Sequence, residues 1–254
     1  IQSWFLASTP RRFPNSGTLN DLRYGYNRSK LSWYTIDPLF TRNDSRTPDD
    51  ITDEDQKDHF IREILETELY KNRESGTGFQ NTLSVMNLAF TPQERGPYNF
   101  DPQLDADGLL PNPVSRWGGI MRELQTTDFE TSNIEYIEFW LMDPFVKDSI
   151  HSGGELYFNL GEISEDVLKD SKKSFENGLP TTDSLTQVDT TSVWGQVPTI
   201  QSIVNSFDSD PKNRVRQDVG LDGINDEQER IKFAPFLNTL PTGTPFWQKA
   251  NDDP

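Results

Sequence analysis

The sequence has no cysteine and only two histidines, His59 and His151, in 254 residues. The absence of cysteine excludes disulfide bonds, thiolate zinc sites and cysteine nucleophiles, and two histidines are too few for a multi-histidine metal centre. Neither histidine stands in a recognisable frame with a serine and an acid. No apolar run approaches the roughly 20 residues that a membrane-spanning helix needs. The sequence therefore lacks the familiar sets of catalytic residues, and we expect a protein that is not an enzyme and has no transmembrane helix.

Positive charge is also scarce. The chain has 24 Lys and Arg against 41 Asp and Glu, which gives a formal charge of -17. Such a surface repels a phosphate backbone, so nucleic acid is excluded as a partner. Hydrophobic residues make up only 33% of the chain, but 16 Phe, 7 Tyr and 6 Trp are too many for a chain that stays unfolded in water. These residues predict a folded, aromatic-rich core.

The chain divides by composition near residue 50. Residues 1–50 are rich in Arg, Asn and Ser and contain several prolines, so we expect an irregular segment that packs on another surface. Apolar residues then recur at helical spacing over residues 52–73, which predicts an amphipathic helix with Thr52 as its N-cap. Residues 51–254 are expected to form one sandwich-like domain.

Most of the remaining pattern favours strands. Residues 31–34 and 83–90 indicate short strands, the second ending at a turn over residues 91–92. The strongest strand patterns are residues 134–142 and 155–160, which are aromatic and β-branched and are separated by turn residues. These two segments are predicted to pair as neighbours. A short helix or helical loop is expected over residues 163–175, followed by an exposed loop over 180–192.

Residues 218–229 match the spacing of a twelve-residue calcium loop at five of its defining places, with Gly223 at the sharp turn. A hard cation needs six or more oxygen ligands, and this spacing brings early and late oxygens together. Gly220 departs from the pattern, because that position usually carries an oxygen ligand. The alternative is a plain turn in which Asp218 or Asp222 caps a short helix over residues 226–232. The predicted ligands are Asp218, Asp222, Asp226 and Glu229 through their side chains and Ile224 through its carbonyl.

Several other candidates have a simple structural interpretation. The acidic turn of Asp101, Asp105 and Asp107 lacks a matching downstream Glu, which favours a solvated turn over a metal site. Glu135 and Glu138 are interpreted as outward-facing strand charges rather than a catalytic pair. Trp33, Trp117 and Trp140 have the chemistry to stack on a sugar, but we expect them in the core.

Long blocks distributed along nearly the whole chain resemble the SprA (Sov) family of cell-surface gliding-motility proteins from the Bacteroidota. These blocks are residues 2–10 (QSWFLASTP), 30–38 (KLSWYTIDP), 94–101 (ERGPYNFD), 117–122 (WGGIMR), 133–145 (NIEYIEFWLMDPF), 154–161 (GELYFNLG) and 176–180 (ENGLP). The acidic loop 218–229 also resembles that family. The blocks are more specific than any short motif in the sequence.

This resemblance implies a piece of the outer-membrane translocon of the type IX secretion system. The family's members are very large proteins that form a wide β-barrel for folded cargo and have partners that include a smaller barrel protein of the PorV kind. The implied partners are therefore the rest of the parent barrel, a PorV-like protein and secreted cargo, at the cell surface or periplasmic face of the outer membrane.

The resemblance and the strand pattern lead to a definite expectation of fold. Residues 134–161 have the texture of strands in galactose-binding-like domains, so we expect a mainly-β, jelly-roll-like sandwich with a few peripheral helices and long irregular segments. The principal functional hypothesis is a non-enzymatic part of a translocon. The alternative is a carbohydrate-binding or adhesin module at the cell surface, with calcium as a possible structural cofactor of either.

Overall fold

A computed structural model of the protein describes residues 3–73, 81–125, 128–161, 163–171, 188–198, 209–217 and 222–240. The described residues have a mainly-β fold that is low in helix (18%), with short antiparallel strand pairs joined by long irregular segments. Within these ranges, no helix has both the length and the apolar character needed to cross a bilayer.

The strands pair two by two. β1 pairs with β6, β2 with β5, β3 with β4 and β7 with β8. Because each described sheet has only two strands, these sheets do not establish a jelly-roll sandwich, which stays a prediction. The strands are β1 (Phe5–Leu6), β2 (Ser29–Tyr34), β3 (Ile64–Leu65), β4 (Thr82–Leu83), β5 (Asn87–Arg95), β6 (Ile120–Met121), β7 (Val188–Asp189) and β8 (Val197–Pro198).

The helices are short, and the longest described ones have seven residues. Two 3-10 turns, Leu22–Gly25 and Pro113–Ser115, accompany them. The α-helices are α1 (Pro38–Thr41), α2 (Asp53–Gln56), α3 (Glu66–Leu69), α4 (Pro211–Gln217), α5 (Asp226–Lys232) and α6 (Ala234–Leu237).

The chain forms two compact units, and neither has a boundary near residue 50. The first unit contains Ser32–Ala89 and Arg122–Phe158, and the second contains Trp4–Leu31, Phe90–Met121 and the described residues from Asn159 onward. The division by composition into residues 1–50 and 51–254 stays a prediction, and the compact units are set by contacts distant in sequence.

The second unit contains an aromatic core. Leu6 and Tyr24 from the early part of the chain are buried there together with later residues, and Leu6 lies on β1, which pairs antiparallel with β6. The early part of the chain thus supplies core side chains of this unit. The buried cluster consists of Leu6, Tyr24, Tyr98, Val167, Leu168 and Trp194.

The amphipathic helix predicted over residues 52–73 is wrong in extent. Its N-cap is confirmed, because Thr52 and Asp55 form a reciprocal capping box at the start of α2. The helix ends after one turn, and the Asp58 carboxylate accepts a hydrogen bond from the Phe60 amide at 3.0 Å. This local side-chain bond replaces the helical bond of that amide. The chain then enters β3, which pairs with β4.

The strand predicted over residues 83–90 is found in two pieces. β4 ends at Leu83, and β5 begins at Asn87 and continues through Thr91 and Pro92 to Arg95. The turn predicted at residues 91–92 is therefore wrong. Pro92 lacks an N–H, but its carbonyl accepts a hydrogen bond of 2.8 Å from the Ser29 hydroxyl on β2, so the strand continues through the proline.

The two strongest predicted strands are not paired. The structure assigns neither strand nor helix to residues 134–143 and 151–160, although the rings of Phe139 and Phe158 lie 4.8 Å apart. A strand requires a neighbour for its backbone groups, and periodicity in one segment does not supply that neighbour. Residues 163–171 also contain no helix, and the rest of the predicted helical segment 163–175 lies outside the described residues.

Candidate functional site

The predicted calcium loop is described from Asp222 onward, and Asp218 lies outside the described residues. Asp222 and Gly223 form a turn, Ile224 is buried, and Asp226 is the exposed first residue of α5. Glu229 lies one turn further along α5. Of the four predicted side-chain ligands, the structure thus describes Asp222, Asp226 and Glu229.

The alternative to a calcium loop was a plain turn followed by a short helix over residues 226–232. That helix is present as α5, with the same bounds. Its cap differs, because Asn225 accepts a hydrogen bond from the Gln228 amide and the Gln228 side chain accepts one from the Asn225 amide. Acidic residues occupy its first turn, and Arg230 and Lys232 occupy its last turn, which suits the helix dipole. The loop therefore continues into a well-capped helix.

Backbone contacts fix the start of the loop against a neighbouring turn. The Asp222 carbonyl accepts a hydrogen bond of 2.8 Å from the Gln196 amide. Gly195, at φ 136°, packs directly on that carbonyl, and a Cβ at this position would overlap it. The Lys232 ammonium donates to the carbonyls of Ser192 at 2.6 Å and Gly195 at 3.1 Å. These contacts hold α5 and the 192–196 turn around Asp222.

Asp222 and Glu229 are brought together in this loop. Burial, followed by the neighbouring Glu229 carboxyl, raises the pKa of Asp222 to about 8, although the Ile224 amide donates to its Oδ1 at 3.1 Å. Burial also lowers the pKa of Lys232, against the effect of Asp222. Two carboxyl groups that lie close together at a half-buried position disfavour each other's ionisation. The arrangement can share a proton or accept a cation.

The described part of the loop fits calcium incompletely. Loop positions 5 and 12, Asp222 and Glu229, converge, which is what the twelve-residue spacing predicts. Among the described residues, however, no cluster of three or more Asp, Glu, His or Cys side chains is placed to hold a metal. Further oxygens would have to come from Asp218, from the Ile224 carbonyl or from water.

An aromatic layer under α5 and α6 was not anticipated from the sequence. Phe233 is buried and stacks on Phe100 with ring centres 4.6 Å apart. Phe236 meets the edge of Phe100, and the Arg95 guanidinium lies 5.3 Å from the Phe236 ring centre. In the sequence, Phe100 stands in the block 94–101 without a predicted packing partner. This unpartnered aromatic residue was the signal that could have indicated the layer.

Arg28 is a second unanticipated feature. Its side chain is almost completely buried and donates to three backbone carbonyls, Ala7 at 3.1 Å, Val167 at 3.3 Å and Pro97 at 3.4 Å. Burial lowers the pKa of Arg28 to about 10. The guanidinium lies 5.3 Å from the ring centre of Trp117. Arg28 thus joins three chain segments of the second unit.

The acidic turn at residues 101–107 is solvated at Asp105 and Asp107, as the sequence favoured, but not at Asp101. The Asp105 carboxylate accepts hydrogen bonds from the amides of Asp107 and Leu109. Asp101 is buried and forms an ion pair with Arg116. Two of the three acids therefore have structural partners in the same unit.

The described histidines show hydrogen bonds and ring contacts that are structural in kind. His59 Nε2 lies 3.3 Å from the Asp143 carbonyl oxygen, and its ring packs edge-on against Phe60. His151 stacks on Phe145, and its Nδ1 accepts from the Gly153 amide.

An exposed apolar surface contains the segments that carry much of the family resemblance. We call residues 134–141 and 156–158 the 134–158 surface. Tyr136 is 73% exposed, Trp140 69% and Leu141 66%. Glu135 and Glu138 of the same segment are exposed, as predicted. The core positions expected for the three tryptophans hold for Trp117, which is buried, but not for Trp140, while Trp33 is half-buried.

The chain matches none of the known protein-family models with which it was compared. Comparison with curated proteins likewise finds no match.

Proposed function

We propose that this chain is a non-enzymatic part of an outer-membrane protein translocon of the SprA kind, serving type IX secretion and gliding motility as a scaffold or docking surface. The sequence blocks that resemble this family are distributed over nearly the whole chain. The proposed location is the cell-surface or periplasmic face of the outer membrane. The proposed partners are the rest of the parent barrel, a PorV-like barrel protein and secreted cargo.

The observation that supports this proposal most is the 134–158 surface. The blocks 133–145 and 154–161 carry the resemblance, and their aromatic and aliphatic side chains are exposed in the described structure. A contiguous exposed apolar patch is typical of an interaction surface. An exposed apolar patch suits a segment of a large assembly, because neighbouring parts of the assembly cover the patch.

We also propose the finer form of the fold, a jelly-roll-like sandwich. Residues 134–142 and 155–160 have the strand composition of such sheets, and Phe139 already contacts Phe158. Pairing of these segments with further strands would complete two sheets that pack face to face.

The proposal includes a structural calcium ion at the loop that ends at Glu229. The supporting observation is the convergence of Asp222 and Glu229. A cation bound there by Asp218, Asp222, Asp226, Glu229 and the Ile224 carbonyl would tie the loop to α5. Its contribution would be to stability, because metal binding to a folded site adds directly to folding free energy.

The translocon proposal is tested by removing the apolar character of the 134–158 surface at its locus in a Bacteroidota host. The triple variant Tyr136→Ser, Trp140→Ser and Leu141→Ser removes three exposed side chains without creating a cavity. We expect loss of secretion of a type IX cargo into the medium and loss of co-purification with the PorV-like protein.

The matched control is Leu19→Ser, Val114→Ser and Ile231→Ser, which removes three apolar side chains that are 64%, 97% and 73% exposed elsewhere. This variant is expected to secrete cargo normally. Normal secretion and normal co-purification by the first triple variant would reject the proposal.

A second candidate function is a carbohydrate-binding or adhesin module. The observation that favours it is the exposure of Trp140 and Tyr136, because exposed aromatic faces are suited to stacking on sugars. A glycan array probed with and without calcium separates the two functions. Binding that is lost in Trp140→Ser supports this module, and absence of binding in both conditions removes it.

A further inference from the structure

The backbone of residues 135–142, within and next to the 134–158 surface, is as open as the side chains around it. Residues 135–142 make no backbone hydrogen bond to any residue that the structure describes. This stretch contains no proline and no glycine, so every residue has one N–H donor and one C=O acceptor. An exposed strand-like segment of this kind is a template for pairing with another strand.

The side-chain alternation indicates what such a strand would present. In an extended conformation, successive side chains point to opposite faces. One face would carry Ile134, Tyr136, Glu138 and Trp140, and the other would carry Glu135, Ile137, Phe139 and Leu141. Each face is therefore apolar with one carboxylate, which is the pattern of a strand that becomes covered on both sides.

The charge of this part of the chain indicates the chemistry of the partner. Residues 128–158 contain seven carboxylates and a single Lys or Arg, Lys147, which is paired with Asp58. A second copy of this chain would bring the same carboxylates to the interface, and like charges placed directly opposite each other destabilise strand pairing. Opposite charges at the same positions stabilise it. Charge complementarity therefore disfavours self-association and favours a basic partner.

We propose that residues 135–141 are a docking strand that pairs with a β-strand of a partner protein carrying Lys or Arg on both faces, opposite Glu135 and Glu138. This inference rests on the proposed function and specifies the chemistry of its partner. Main-chain hydrogen bonds would supply affinity, as in other cases of strand addition, and the two carboxylates would set register and selectivity.

The test uses the full chain and three synthetic peptides of about nine residues, a usual strand length. All three alternate valine and threonine. The first has one lysine on each face, the second has glutamates in place of the lysines, and the third keeps the lysines but has a central proline. The lysine peptide is expected to bind at least about tenfold more tightly than the glutamate peptide. The proline peptide is expected not to bind, because it lacks a central N–H donor.

Charge reversal in the chain gives the decisive comparison. Glu135→Lys with Glu138→Lys should invert the preference, so that the glutamate peptide binds more tightly. The control Glu123→Lys with Glu130→Lys makes the same change of charge at exposed positions outside the docking strand. The control is expected to keep the preference of the native chain within about twofold, since distant surface charges are screened.

Three results would overturn the inference. The first is equal binding of the lysine and glutamate peptides, or binding of neither. The second is self-association of the native chain that survives the Glu135→Lys and Glu138→Lys changes. The third is slow amide hydrogen exchange of residues 135–142 in the free chain, which would mean that the backbone is already paired. The secretion assay of the serine variants does not depend on peptide binding. Failure of the docking strand is therefore distinguishable from failure of the translocon proposal.

Discussion

Arg116 and Asp101 form an ion pair of 2.8 Å in the second unit, with side chains only 4% and 8% exposed. The same guanidinium also donates to the carbonyls of Tyr26 and Pro111. The pair therefore connects the turn after Phe100 with the segment before β2. A buried ion pair is costly to break from one side, because the remaining charge stays buried without its partner.

Asp101→Ala is accordingly expected to lower the free energy of unfolding by about 3 kcal/mol. The measurement is urea denaturation followed by the fluorescence of the buried Trp117 and Trp194. Asp101→Ala combined with Arg116→Met should cost less than the sum of the single changes, because the double variant leaves no unpaired charge. Strictly additive losses would contradict a coupled pair.

Gly195 gives a second prediction. Its φ of 136° and its contact with the Asp222 carbonyl leave no room for a Cβ, so Gly195→Ala should destabilise the chain by about 3 kcal/mol. Gly17→Ala is the control, because a Cβ there meets nothing within 4 Å. The control should change the urea midpoint little. Similar stability of the two variants would mean that the 192–196 turn does not support the loop.

Calcium binding is predicted for the loop that ends at Glu229. Titration calorimetry of the native chain with calcium should show binding heat, and Asp222→Ala or Glu229→Ala should abolish it. Glu227→Ala changes an exposed acid of the same helix and should retain the heat. No heat from the native chain would show that the loop is only a turn, and equal loss in the Glu227 variant would point to non-specific attraction by acidic charge.

The pKa of Asp222 gives a pH dependence in the presence of a calcium chelator. The unfolded carboxyl ionises near pH 4, whereas burial raises the folded pKa to about 8. Between these values the folded state binds more protons at Asp222 than the unfolded state does, so the contribution of Asp222 to stability is largest at low pH and is lost as the pH rises toward 8. We expect a loss of about 2 kcal/mol, below the full linkage value because the pair remains in contact with water.

Asp222→Asn should flatten this part of the stability profile, because the amide does not titrate. Glu227→Gln removes one exposed charge from the same helix and should leave the slope in place. A difference in stability between the native chain and Asp222→Asn that rises from pH 4 to pH 8 would contradict the assignment.

Local signals in the sequence predicted local structure well. The predicted N-cap at Thr52 depends on neighbours in sequence and is present, and so is the helix over residues 226–232 that the alternative to the calcium loop predicted, although Asn225 caps it. The strand predicted at residues 31–34 is present within β2, but the sequence of this segment did not identify its partner β5. The long helix over 52–73 failed because the Asp58 side chain competes for a backbone amide, which periodicity does not register.

Features that depend on distant contacts were not predictable in this way. Arg28 binds carbonyls of Ala7, Pro97 and Val167, and no short pattern announces that three separated segments meet at one guanidinium. The convergence of Asp222 and Glu229 was predictable because the calcium-loop spacing places both within twelve residues. The exposure of Trp140 was not predictable, because tryptophan is highly buried on average and the sequence does not show whether a surface covers this side chain.

The contrast between Trp140 and the two buried tryptophans gives the molecule an optical reporter. An indole in water emits at longer wavelength than one in an apolar core, so, among the tryptophans that the structure describes, Trp140 should contribute most to the red edge of the emission spectrum and be the most accessible to iodide. When the 134–158 surface is covered, that component should move to the blue while the emission of Trp117 and Trp194 stays constant. Occupancy of this surface can thus be followed without a label, and Trp140→Phe would silence the signal while preserving an aromatic ring.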